Sequence, residues 1–162
     1  MNGNIVAALK KDDELASDWL LFYSDKRRQF YIDKMDLLNS SNAPKSGGRS
    51  GISKPTEQRI VRMSGLLKDE AWLELLEVVE DSLSERKKIF LSVRREAAYM
   101  EGNNERGRPA WVVYVQRRYA EEMALAYGGK PEKYWVAETT IKEWWNKLIV
   151  LAARAAAKKG CL

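Results

Sequence analysis

Histidine is absent from the 162 residues, and cysteine occurs once, at Cys161. Without imidazole, the usual zinc ligand sets are excluded, and so are Ser-His, Cys-His and His-based acid–base schemes. One cysteine cannot close a disulfide within the chain, so nothing points to an oxidising compartment. Long hydrophobic runs are missing as well. The opening MNGNIVAALKKDDE has no apolar signal core, and no apolar run approaches membrane-spanning length. These absences predict a soluble cytoplasmic chain that holds no metal or cofactor and is not an enzyme.

What is present suits a globular fold of one or two small domains, with 45% hydrophobic and 31% charged residues. The formal net charge of +5 is unevenly spread. Residues 39–66 carry a net +4 and residues 137–162 a net +3, whereas the stretches between and before them are close to neutral or acidic. Such clustering reads either as a solvated face or as the electrostatic footprint of a polyanion such as DNA.

Nearly every segment has helical periodicity, so the expected fold class is all-α. A first helix is expected from about Asp12 to Leu38, with Asp12, Asp13 and Glu14 at the positive end of its dipole. The stretch NSSNAPKSGGRSGIS, residues 39–53, reads as a flexible basic linker, and Pro55 opens a short helix to about Met63. From residue 66 to 99, Trp72, Leu76, Val79, Leu83, Phe90, Val93 and Ala97 form a heptad-like seam. Ser82 and Glu85 have capping-box spacing, which leaves open one long helix or two with a break there. EGNNERGRP, residues 101–109, is a second break. Ala110–Tyr127 is the next helix, with Val112, Val115, Tyr119, Met123 and Ala126 on one face, closed by Gly128-Gly129. The last helix runs from about Ala137 to Lys159. The organisation expected is an N-terminal helical segment (1–38), a linker (39–54) and a helical DNA-binding domain (55–162).

The last helix is the most informative. Ile141, Trp144, Trp145, Leu148, Ile149 and Ala152 form an apolar stripe, opposed by Glu138, Thr139, Thr140, Lys142, Glu143, Asn146 and Lys147. A recognition helix needs such polar side chains on its first turns, where they reach base edges in the major groove. Asn reads adenine, Lys reaches guanine or phosphate, Glu accepts from cytosine, and Thr contacts the thymine methyl. Any amphipathic surface helix has a polar face, so this pattern alone also fits a solvated one. Arg106, Arg108, Arg117 and Arg118 read equally as helix surface or as phosphate contacts. Trp111, Trp135, Trp144 and Trp145 read as core or helix-docking aromatics. The Gly47-Gly48 stretch lacks the lysine of a phosphate-binding loop, so nucleotide binding is not expected there.

Two places resemble RinA-type phage transcriptional regulators, whose C-terminal part is similar to region four of sigma factors. One is GGRSGISKPTEQ, Gly47 to Gln58. The other is the pair YAEEMAL (Tyr119 to Leu125) and AETTIKEWW (Ala137 to Trp145), which looks like the family's helix-turn-helix. Thr140 and Trp144 match the pattern of its recognition helix, while Ala137 stands where a capping Ser is usual and Glu143 where an Arg is usual. The resemblance implies a helix-turn-helix at about 110–159 and a monomer or dimer that binds double-stranded promoter DNA and engages bacterial RNA polymerase. A phage small terminase subunit, with a ring-like assembly, and a protein-only adaptor using the Trp72–Ala97 seam are the alternatives.

Overall fold

A computed structural model describes residues 2–41, 54–100 and 110–162. Six helices follow in order: α1 (Asn2–Leu21), α2 (Tyr23–Ser41), α3 (Lys54–Ser82), α4 (Glu85–Tyr99), α5 (Ala110–Tyr127) and α6 (Glu138–Lys159). A short 3₁₀ turn, Pro131–Tyr134, precedes α6. No strand occurs among the described residues, and the fold is all-α as expected. Most of the expected linker, residues 42–53, lies outside the described residues, while Asn39–Ser41 belong to α2 and Lys54 opens α3.

The N-terminal helix differs from expectation at both ends and in the middle. It starts at Asn2, because Ala7, Ala8 and Leu9 are good helix formers and carry the helix back past the acidic residues. It is also interrupted at Phe22. In an uninterrupted helix the Leu20 carbonyl would accept from the amide four residues on. Here Arg95 of α4 donates its Nε to that carbonyl at 2.8 Å. A side chain inserted into the ladder is an established cause of a helix bend. The ladder resumes on either side, Phe22 donating to Asp18 at 3.0 Å and Lys26 to Phe22 at 2.9 Å. The same guanidinium grips Glu80 of α3 with bonds of 3.0 and 3.2 Å, so one side chain joins three helices, α1, α3 and α4.

The short helix expected to end at Met63 instead runs unbroken to Ser82. Gly65 costs the helix roughly 1 kcal/mol relative to Ala and lies exposed with open space around it, but its neighbour Leu66 packs against the core, and that packing carries the helix through. The break near Ser82 is present, and its cap lies two residues further on. Ser84 has extended backbone and its hydroxyl accepts from the Lys87 amide at 3.4 Å. Ser82 turns back to donate to the Val79 carbonyl at 2.6 Å, closing α3. The heptad-like seam therefore spans two helices, with all its members buried except the half-buried Leu83.

The core is organised around α6, which packs on α1, α3 and α5. Its buried residues are Ile141, Trp145, Leu148, Ala152 and Ala156. Trp19 of α1 stacks on Trp72 of α3, the rings 5.3 Å apart and nearly parallel. That contact places the second half of α1 in the same core as the C-terminal helices, together with Ala16 and Leu20. On α5, Val112, Val115, Tyr119 and Met123 are buried as expected, but Ala126 is exposed, beyond the last turn that α4 covers. Gly160, at φ 76°, ends α6: its amide reaches the Ala157 carbonyl and that of Cys161 the Ala156 carbonyl, a glycine-dependent double closure.

Candidate nucleic-acid interface

Two left-handed glycines turn the chain out of α5, Gly128 at φ 79° and Gly129 at φ 90°. The connection that follows is tied back onto α5. The Tyr134 hydroxyl donates to the Gly128 carbonyl at 2.6 Å, and the buried Gln116 donates to the Val136 carbonyl at 2.9 Å. These bonds fix where α6 begins. Its N-cap is Ala137, which offers no side-chain acceptor, and neither Thr139 nor Thr140 substitutes for one. The first amides of α6 are left to solvent or to an anion.

Beyond that start, Thr139, Lys142, Glu143, Asn146 and Lys147 are exposed, and Thr140 is half-buried. None of the six side chains makes a hydrogen bond or ion pair among the described residues. At 100° per residue, Lys142 and Asn146 lie along one flank of the exposed face and Thr140 and Lys147 along the other, with Glu143 between them. The face is therefore broad enough to present two rows of polar groups.

The arginines separate. Arg106 and Arg108 lie outside the described residues. Arg118 donates to Glu121 and Glu122 at 2.7 Å and to Glu96 at 3.2 Å. Those bonds, to Glu121 and Glu122 first, hold its guanidinium pKa above the usual range. Three carboxylates around one cation leave little positive field for a phosphate, and Arg118 instead fastens α5 to α4. Arg117 is exposed, 5.8 Å from the Tyr114 ring, and lines an open depression of about 500 Å³ with Ala110, Val113 and Trp135.

The tryptophans also diverge from a common core role. Trp145 is buried, and with Trp111 it brackets the buried Arg94 guanidinium at 4.8 and 4.0 Å. Trp135 is 59% exposed, because it sits in the connection with its ring beside Arg117 rather than on a helix face.

One cation was not anticipated. Lys87, on the first turn of α4, lies 3.5 Å from the centre of the Trp144 ring. Burial, and then repulsion from Lys147, pushes its pKa down to about 8. It thus extends the Lys147 flank of α6 onto a second helix. The sequence did hold a signal for it: Arg86, Lys87 and Lys88 stand at the positive end of a helix, where cations are unfavourable.

The lowered value has a measurable consequence. Between about pH 8 and pH 10 the unfolded chain holds a proton on Lys87 that the native protein has shed, so this group's contribution to stability rises with pH across that window. Above pH 10 the sign reverses through Tyr23, pushed up to about 12 by burial and its bond to Glu77. Melting curves at constant ionic strength should show a rise from pH 7.5 to 9 that Lys87→Met removes. An unchanged rise in that variant would place the titration elsewhere.

The chain matches no family model, and no curated protein or solved structure is significantly similar to it. Among the described residues no group of His, Cys, Asp or Glu could hold a metal ion, and no helix is long and apolar enough to cross a membrane.

Proposed function

We propose that the chain is a sequence-specific DNA-binding regulator of phage or prophage transcription, an activator of late genes acting with RNA polymerase, and that α6 is its reading helix. One observation carries this reading. The first turns of α6 expose two rows of unpaired polar and basic side chains on a helix whose other side is fixed by Ile141, Trp145 and Leu148. A rigidly seated helix with free hydrogen-bonding groups suits base readout. Lys87 beside Lys147, and Arg117 on α5, supply cations for the flanking phosphates. The resemblance of Gly47–Gln58 to RinA-type regulators supports the transcriptional role and the polymerase partner.

Binding to a selected promoter fragment, followed by fluorescence anisotropy, tests the reading. Affinity is expected to fall steeply as salt rises, because phosphate contacts release counterions. Asn146→Ala should lose about 1–3 kcal/mol on the cognate fragment and little on unrelated DNA. Lys147→Ala should weaken both fragments alike and reduce the salt slope by about one. Salt-independent binding, or full discrimination retained in Asn146→Ala, would refute α6 as the reader.

A further inference from the structure

The second half of α6 carries charge of one sign. No Asp or Glu occurs from residue 144 to 162, while Lys147, Arg154, Lys158 and Lys159 do. The surface of α2 is built otherwise. There Asp25, Arg28, Asp33, Lys34 and Asp36 mix the two signs, and Arg28 meets Asp25 at 3.6 Å. Mixing lets neighbouring charges on a solvated helix offset one another, and α6 forgoes it. The helix dipole accounts for cations in the last turn, Lys158 and Lys159, but not for Arg154 or Lys147 further up.

Geometry sorts these cations. At 100° per residue, Lys147, Arg154 and Lys158 lie within about 40° of one another, on the side of α6 opposite the buried Trp145, Ala152 and Ala156. All three are exposed. Lys159 turns instead toward α3 and pairs with Glu74 at 3.2 Å, whereas Arg154 and Lys158 make no ion pair among the described residues. At 1.5 Å per residue, Arg154 stands about 10 Å beyond Lys147, and Lys158 about 6 Å further. Lys87 joins the row at its other end, close enough to Lys147 for the two charges to repel. Between Lys147 and Arg154 the exposed Val150 and Leu151 offer no hydrogen bond, so the face divides into two polar zones.

Length decides what the far zone can touch. With 22 residues, α6 is about 33 Å long, close to the ~34 Å in which a DNA duplex makes one turn. Over that distance the groove sweeps around the duplex axis. A straight helix with its first turns in the major groove therefore leaves it before its last turns and passes over a backbone. Phosphates, not base edges, face it there.

We propose that Arg154 and Lys158 form a phosphate-binding ridge, which grips the backbone of double-stranded DNA beyond the bases met by the first turns of α6. This ridge, which rests on α6 being the reading helix, adds a contact zone without sequence preference. Contacts of that kind hold a reading helix in register and carry no sequence information themselves.

Salt titrations of binding by the full chain, on the selected promoter fragment and an unrelated fragment of equal length, test the ridge. Arg154→Gln/Lys158→Gln should weaken binding to both fragments by the same factor and lower the salt slope by about two. Arg154→Lys/Lys158→Arg, which keeps both charges, should retain the wild-type slope. Lys159→Gln should retain it as well, since Glu74 already occupies Lys159. Circular dichroism should be the same for every variant, because the substituted side chains are exposed. A wild-type slope in Arg154→Gln/Lys158→Gln, with discrimination still lost in Asn146→Ala, overturns the ridge and leaves α6 as the reader. Loss of discrimination in Arg154→Gln/Lys158→Gln shows the far zone reading bases and overturns the phosphate assignment. Wild-type binding that is indifferent to salt overturns ridge and reader together.

Discussion

Trp145→Ala is expected to cost about 3–5 kcal/mol of folding stability, the range for truncating a buried aromatic. The ring is 5% exposed and forms one wall of the slot that holds the Arg94 guanidinium. Removing it opens a cavity under α6 and takes away a cation–π partner from a buried charge. Against a total of about 5–15 kcal/mol for an ordinary domain, such a loss leaves little margin. Denaturant unfolding should show the lower midpoint, and any DNA affinity should fall for every sequence together. Trp144→Ala is the informative contrast. Trp144 is half-buried, edge-on to Phe90 and Tyr119, and carries Lys87 on its face. Its loss should cost less and should also release Lys87 toward an ordinary lysine pKa, abolishing the stability rise above pH 8. Equal costs for the two variants would show that the burial of Trp145 does not anchor the helix.

The second large effect is expected at Arg95. Its side chain bonds the Leu20 carbonyl and both oxygens of Glu80, and the ring of Tyr23 lies 5.4 Å away. Arg95→Met should cost about 2–3 kcal/mol, the scale of charge-assisted hydrogen bonds lost from a partly buried site. One terminal nitrogen of Arg95 is buried without a hydrogen-bond partner, which offsets part of the gain and keeps the figure below that of a fully satisfied pair. A double-mutant cycle with Glu80→Gln separates the ion pair from the carbonyl contact. If Arg95→Met and the double variant are equally stable, Glu80 contributes nothing beyond Arg95. If Arg95→Met alone is as stable as the wild-type chain, the bend at Phe22 has some other cause.

Helical content, the position of α5 and α6 and the apolar faces of both were legible in the sequence, because 3.6-residue periodicity and glycine termination act over a few neighbouring residues. The capping site at Ser84 was missed for a local reason: Ser82 and Ser84 have nearly the same neighbours, and only the backbone conformation selects between them. The candidate site was half legible. Periodicity gives the exposed face of α6, with Lys142, Asn146 and Lys147, without reference to any other helix. It cannot say whether a cation is free. Arg117 and Arg118 are adjacent and chemically identical, yet one is exposed while the other is enclosed by Glu96, Glu121 and Glu122, and Glu96 comes from another helix. Lys87 became part of the same surface only because α4 packs its first turn against Trp144.

The sequence by itself therefore determined the all-α class, the termini of α5 and α6 and most of the buried faces of those two helices. Tertiary structure decided the rest: the bend at Phe22, the continuity of α3 through Gly65, the unequal burial of Trp144 and Trp145, and which charges stay unpaired. The physical reason is range. Helix periodicity and caps are set by interactions within about one turn. Burial, ion pairing and pKa depend on groups such as Arg95 and Leu20, 75 positions apart in the chain, that meet only when the helices pack.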